Sequence, residues 1–317
     1  MKIHFDGVDF NTSTGPNVFA NRLARKLFET GHELVAAGPQ ADVSLVFIER
    51  TGTPLAKKVV QRLDGIWFCP KDFHTKNVGI KRTYLSSDAV VWQSEFDMRM
   101  TTHWFGPPTG ADLSRVIHNG IDVEPLKQLT IPALIKLRSD YKRVYVCSAN
   151  WHPQKRLHDN VRLYKKLREF EPSSCLVILG NNPDVMIADP HIFYAGSQPP
   201  EVYNEVYAAA DWMLHLAWAD HCPNVVVEAL AQGTPVVCSD TGGTKELVGS
   251  YGLVIPDMGS QYNYTLYDYD VPPLVDLNGL TQMPTRIELS YAGVKERIDI
   301  NDTCKRYVQL FTSVLSQ

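Results

Sequence analysis

Short β-branched and apolar runs alternate with stretches of helical periodicity along the whole chain, and that alternation confines it to the α/β class. Parallel strands need a crossover of a dozen or more residues between them, so helices must sit on the faces of the sheet. Strands are expected at 2–5, 33–37, 43–48, 59–63, 89–93 and 116–118, and helix at about 17–29, stopped by Gly31. After the turn dipeptide Asn119-Gly120 comes IDVEPLKQLTIPA, with two prolines and little regular pattern, as suits a connection between domains. A second series follows, with strands expected at 144–148, 175–179, 192–194, 212–216, 235–238 and 253–255. Two consecutive doubly wound units account for both series, giving domains at 1–125 and 126–301. Residues 257–285 break the rhythm and read as irregular structure, and 302–315 reads as an amphipathic helix.

Composition excludes several functions. With 31 Lys and Arg against 35 Asp and Glu, the net charge is −4, so no basic field exists to hold a polyphosphate backbone and nucleic acid is not expected as a partner. Apolar stretches such as 43–48 and 176–179 fall far short of the ~20 residues that cross a bilayer. The start, MKIHFDG, is too polar for a secretory signal. A cytoplasmic protein is expected, with peripheral contact to a membrane from inside left open. The six cysteines form no CxxC pair and read as reduced core thiols.

The stretch carrying most chemistry is WMLHLAWADHCPNVVVEALAQGTPVV, residues 212–237. It reads as strand, loop, helix from Pro223 or Asn224, stop at Gly233, then strand. In an open parallel sheet, ligands sit beyond the carboxyl ends of strands, where helix N-termini present unpaired N–H groups and about half a positive charge. Asp220 stands just before this helix, and Glu228 about one turn inside it on the side of Asn224. Two carboxylates bracketing an anion site suit a ligand with phosphates at its centre and diols at both ends. A nucleotide sugar has that form.

Asp220, seven residues, then Glu228 continuing as EALAQGTPVV resembles the Glu-x7-Glu motif of retaining GT-B glycosyltransferases of family GT4, the glycosyl transferases group 1. VIHNGID (116–122) resembles that family's passage between domains, and SANWHPQKRL (148–157) the opening of its nucleotide-binding domain. VILGNNP, FYAGSQ and CSDTGGTKELV resemble three further cleft-facing loops. The ordered set covers most of the chain.

The resemblance implies two Rossmann-like domains facing a central cleft: an acceptor-side domain at 1–125, on which the helix 302–317 packs back, and a nucleotide-sugar domain at 126–301. It implies transfer of a sugar, with retention, to a hydroxyl of a glycan, lipid or small molecule. No cofactor or metal is expected; Asp268-Tyr269-Asp270 spells DxD but lies in the irregular Tyr-rich segment. Carried over, Glu228 accepts from the ribose hydroxyls, Asp220 lies near the transferred sugar and Lys155 binds the diphosphate. The family usually has Arg five residues before that Lys, where this chain has Asn150; Arg156 is the candidate to supply the charge, and a solvated Lys155-Arg156 pair is the plainer alternative. Gly15, Gly180, Tyr194 and Gly196, the helix opening Pro223, Asn224 and Val225, and Gly242 with Gly243 complete the donor side, the segment Phe193 to Gly196 facing the base. Thr244 and Glu246 read equally as helix capping. Asp64, in RLDG, stands where related enzymes often carry His, and either orients the acceptor hydroxyl or the donor sugar, or is a turn residue before Gly65. His74 is a further cleft candidate, and His118 reads as packing. A sugar-nucleotide epimerase or phosphorylase on the same fold, and a catalytically silent glycan- or nucleotide-binding protein, are the alternatives.

Overall fold

The first six strands, β1 (Lys2–Asp6), β2 (Glu33–Leu34), β3 (Val43–Phe47), β4 (Lys58–Leu63), β5 (Ala89–Trp92) and β6 (Arg115–Val116), form one sheet in the order β2-β1-β3-β4-β5-β6. The next six, β7 (Arg143–Ser148), β8 (Ser174–Leu179), β9 (Ile192–Gly196), β10 (Trp212–His215), β11 (Val236–Ser239) and β12 (Gly252–Ile255), form another in the order β12-β11-β10-β7-β8-β9. Every pairing within both sheets is parallel. This computed structural model describes residues 1–12, 14–124, 128–181, 183, 186–258, 262–278, 280 and 291–317. The α/β reading holds, and each expected strand has its counterpart.

The sequences explain the placement. VSLVF of β3 and SCLVIL of β8 are buried at every residue, as central parallel strands covered on both faces must be. Strand β2 is cut to two exposed residues, and β6 begins one residue before the expected 116–118. Both are edge strands.

The helices are α1 (Gly15–Glu29), α2 (Pro70–Ser86), α3 (Glu95–Phe105), α4 (Pro132–Asp140), α5 (Leu157–Phe170), α6 (Pro200–Ala209), α7 (Asn224–Ala231), α8 (Thr244–Val248), α9 (Tyr291–Ile298) and α10 (Ile300–Leu315). None among the described residues is long and apolar enough to cross a membrane.

The chain forms two compact units. One comprises Met1–Asp122, Asn263–Tyr267 and Arg297–Gln317; the other, Val123–Tyr262 and Asp268–Glu296. The expected boundary at 125/126 falls outside the described residues. In the first unit α10 is capped by Asp299, whose carboxylate accepts from Asn301 N at 2.8 Å. Its apolar stripe, Ile300, Cys304, Tyr307, Leu310, Phe311 and Val314, is buried in one core with Phe19, Leu23 and Leu27 of α1. At about 1.5–3 kcal/mol for each large side chain removed from water, this stripe fixes the last helix to the first unit. Asn263–Tyr267 joins that unit through Tyr267 N, which donates to Phe68 O at 3.0 Å, and Tyr264 O, which accepts from Trp104 Nε1 at 2.8 Å. All six cysteines are buried thiols outside any disulfide.

Candidate functional site

In the second sheet β8 and β9 lie on one side of β7, and β10, β11 and β12 on the other. The strand order thus reverses between neighbouring β7 and β10, and the carboxyl ends at such a reversal are the ligand position of open α/β sheets, a crevice between the two loops. The two loops are tied together across it. Trp218 N donates to Gln154 O at 2.9 Å, and Gln154 Nε2 donates to Trp218 O at 3.0 Å. Lys155, on the first loop, meets Asp220, on the second, at 2.5 Å between Nζ and Oδ2.

Lys155 and Asp220 each have a neighbour in a left-handed conformation. Arg156 has φ +54° and Ala219 φ +53°, a left-handed conformation that non-glycine residues hold only where surrounding bonds impose it. Around Arg156 those bonds come from its own side chain: Nη1 donates to Leu216 O at 3.2 Å and to Asp257 Oδ1 at 2.5 Å. Around Ala219, its N–H donates to Thr241 O at 3.0 Å, and Asp220 O accepts from Gly243 N at 2.8 Å. Gly242, at φ +129°, allows this approach, because a Cβ there would stand 2.7 Å from Asp220 O. Sequence spacing alone did not reveal that the Gly242-Gly243 turn is hydrogen-bonded to the backbone of Asp220.

The electrostatics follow from the geometry. Burial alone would raise the Asp220 pKa, but the Lys155 ammonium and the hydrogen-bonded His215 ring outweigh it and hold this carboxyl well below the usual carboxylate range. Burial lowers the pKa of His215, with Asp220 opposing. Its Nε2 lies 3.3 Å from Asp220 Oδ2. Lys155 and His215 thus share one oxygen of the carboxylate. His215, missed by the sequence reading, is signalled only by being the polar end of the otherwise apolar strand WMLH.

Pro223 is the N-cap of α7, which begins at Asn224; Asn224, Val225 and Glu228 are half-buried and Pro223 is buried. Asn150 is exposed in the loop after β7. Gly180, at φ +102°, is demanded by packing, since a Cβ would lie 1.8 Å from Ala149 O. Its N–H donates to Gly196 O at 2.8 Å, joining the residue after β8 to the last residue of β9. Tyr194 OH accepts from Ile187 N at 2.8 Å. Arg156 is 1% exposed and engaged with Asp257 and Leu216, so its guanidinium is held inside the loop instead of at the surface where Asn150 stands.

In the first unit Asp64 lies just past β4, its Oδ1 accepting from Arg62 Nη1 and, at 2.5 Å, from Gln93 Nε2. Gly15 is the exposed first residue of α1, and His74 is exposed on α2 instead of in a loop. Asp268 Oδ1 accepts from Asp270 N at 3.0 Å, a turn contact. The structure therefore gathers Lys155, Asp220 and Gly243 directly, while Gly15 and Asp64 belong to the other unit.

Residues 142–262 match the family model of the glycosyl transferases group 1. A GDP-mannose-dependent alpha-mannosyltransferase of Mycobacterium tuberculosis is 34% identical over 86 residues, which are 26% of this chain and 23% of that protein. The chain thus aligns with about a quarter of that relative's length. Over the whole chain the likeness is one of fold. Anabaena Alr3699/HepE, solved in complex with UDP-glucose, superposes with a TM-score of 0.68 at 16% identity, over 99% of this chain and 100% of that one. A sucrose-phosphate synthase from Thermosynechococcus elongatus gives 0.73 at 13% identity, over 99% of each. The fold is the GT-B arrangement of two Rossmann-like parts.

Proposed function

We propose that the chain transfers a sugar from a nucleoside diphosphate donor to a hydroxyl of a glycan, lipid or small molecule, with retention at the anomeric carbon and without a metal. The observation that carries this reading is the meeting of Lys155 and Asp220 at the β7/β10 crevice, within the segment that matches the glycosyl transferases group 1. A GDP-mannose-dependent relative and a fold neighbour solved in complex with UDP-glucose support a nucleotide-sugar donor.

The difficult step is departure of a diphosphate from an oxocarbenium-like centre, and preorganised positive potential on the leaving group is the main service a protein can supply. Lys155, half-buried and able to turn from Asp220 to a phosphate, provides it beside the N–H groups that open α7. Asp220 keeps Oδ1 for a donor-sugar hydroxyl while Lys155 and His215 hold Oδ2. Glu228, one turn into α7, accepts from the ribose diol. Tyr194, Gly196 and Gly180 border the base, and Gly242-Gly243 brings backbone close to the phosphates. We assign Arg156 to positioning: its buried bonds fix the residue next to Lys155. A donor phosphate oxygen takes the acceptor proton as the acceptor attacks from the face the diphosphate leaves.

A thermal-shift screen of nucleoside diphosphates and their sugars identifies the donor, because a ligand of the folded state raises apparent stability by mass action. Product analysis by NMR then reads the anomer: retention is expected, and inversion or a rearranged free nucleotide sugar contradicts the reading. Asn150 and the shortened acid Asp220 favour one second reading, a silent binding protein. Donor hydrolysis without acceptor separates the two.

A further inference from the structure

Four side chains in the first unit close a hydrogen-bonded ring. Arg62 Nη1 and Gln93 Nε2 donate to Asp64 Oδ1, the latter at 2.5 Å. Asn119 Nδ2 donates to Gln93 Oε1 at 3.0 Å, and Arg62 Nη2 donates to Asn119 Oδ1 at 2.7 Å. The members come from β4 and from the residues just past β4, β5 and β6, so the ring lies along the carboxyl edge of three adjacent strands. Arg62 is 1% exposed, its guanidinium 4.3 Å from the Phe19 ring centre and 5.2 Å from that of Phe47. Gln93 and Asn119 are also buried.

A ring of this kind has more polar atoms than a core needs and leaves one over. Both ring donors use Asp64 Oδ1; Oδ2 is not part of the ring, and the Asp64 side chain retains 17% exposure. A partly exposed carboxylate just past a strand, with one oxygen held by two donors, is a preorganised acceptor for a hydroxyl. The same loop presents Trp67, 38% exposed, with Lys76 Nζ 4.0 Å from its ring centre on one face and its backbone clamped by Asn77 through bonds of 2.9 and 2.6 Å. A partly exposed aromatic ring three residues along the chain from a fixed carboxylate suits a pyranose, whose C–H face is apolar and whose rim is hydroxylated.

We propose that Arg62, Gln93 and Asn119 are positioning residues that aim Asp64 Oδ2 at a hydroxyl of a carbohydrate acceptor, with Trp67 as its stacking surface. This rests on the transfer reading above. The test uses the full chain, the donor selected by the thermal-shift screen, and methyl glucosides, mannosides and galactosides of both anomers as acceptor probes. Gln93→Leu and Asn119→Leu each remove one ring amide and should raise the acceptor KM about tenfold, the worth of one charge-assisted bond, with kcat within threefold and donor affinity by calorimetry within twofold. Asp64→Asn, which preserves shape should a ring variant misfold, should raise the acceptor KM at least as much. Unchanged acceptor KM in these variants, or a loss confined to donor affinity, overturns the proposal. So does a wild-type protein that hydrolyses the donor but is saturated by none of the glycosides, and in that case the transfer reading stands. Absence of any donor turnover takes both down.

Discussion

Each sheet carries an aspartate beside a cation at its carboxyl edge, yet the two aspartates are held in opposite ways. Asp220 faces Lys155, whose side chain is 23% exposed, and its pKa is depressed below the usual range. Asp64 faces Arg62, 1% exposed and locked in a ring, and burial raises its pKa although Arg62 and Gln93 oppose. Its neighbour Asp97, wholly buried, is pushed up to about 8 by burial, with the Asp64 charge adding to the rise. The difference lies in the freedom of the cation. A partly exposed ammonium on a flexible stem can exchange a carboxylate for a phosphate, whereas a guanidinium fixed by stacking and two side-chain partners cannot. On the proposed transfer reading, the second edge suits exchange with an anion and the first suits holding a geometry.

That contrast can be broken at four points. The largest effect is expected from Arg156→Ala, which strands Asp257 in a buried site; urea denaturation should show a loss of about 3–5 kcal/mol, and a loss near zero would mean that the loop does not need this anchor. Lys155→Ala should lower kcat by about 10²- to 10³-fold, and near-native turnover would remove Lys155 from the leaving-group role. Glu228→Ala should weaken nucleotide binding by roughly tenfold or more, and unchanged affinity by calorimetry would count against the ribose contact.

The smallest effect is a slope with pH. The folded Asp97 pKa of about 8 lies above its ordinary 3.8, so its stabilising contribution is complete below that ordinary value and is lost as pH rises through about 8. Asp97→Asn abolishes this loss, and the variant should gain a few degrees on the wild type in Tm between pH 5 and 9. Asp220 runs the other way: its depressed pKa gives stability that is present above about pH 4 and lost as acid titrates it. Parallel Tm curves for Asp97→Asn and the wild type would contradict the first half of this contrast.

The strands were legible because a parallel strand buried on both faces is a short apolar run, as in VSLVF and SCLVIL. Helix α2 was not, because its buried positions include Asn77 and Thr83 beside Ile80 and Tyr84, which blurs any apolar stripe. The spacing of Asp220 and Glu228 was readable because a short loop and one turn of α7 separate them. The ring was not: Arg62 and Asn119 are 57 residues apart and meet only through strand order. Arg156 could be read as a basic residue next to Lys155, but not as one buried against Asp257, 101 residues away. The attachment of Asn263–Tyr267 to the first unit was hidden for the same reason, since its partners Phe68 and Trp104 are distant in sequence.

The β7/β10 crevice is tested most directly by calorimetry of nucleosides and their diphosphates against the wild type, Lys155→Ala and Glu228→Ala. One nucleoside diphosphate should bind the wild type, lose at least tenfold in affinity to each variant, and lose through Lys155 only when the diphosphate is present, the free nucleoside sensing Glu228 alone. If no nucleoside diphosphate binds, or if Lys155→Ala weakens nucleoside and diphosphate equally, the crevice does not hold a pyrophosphate.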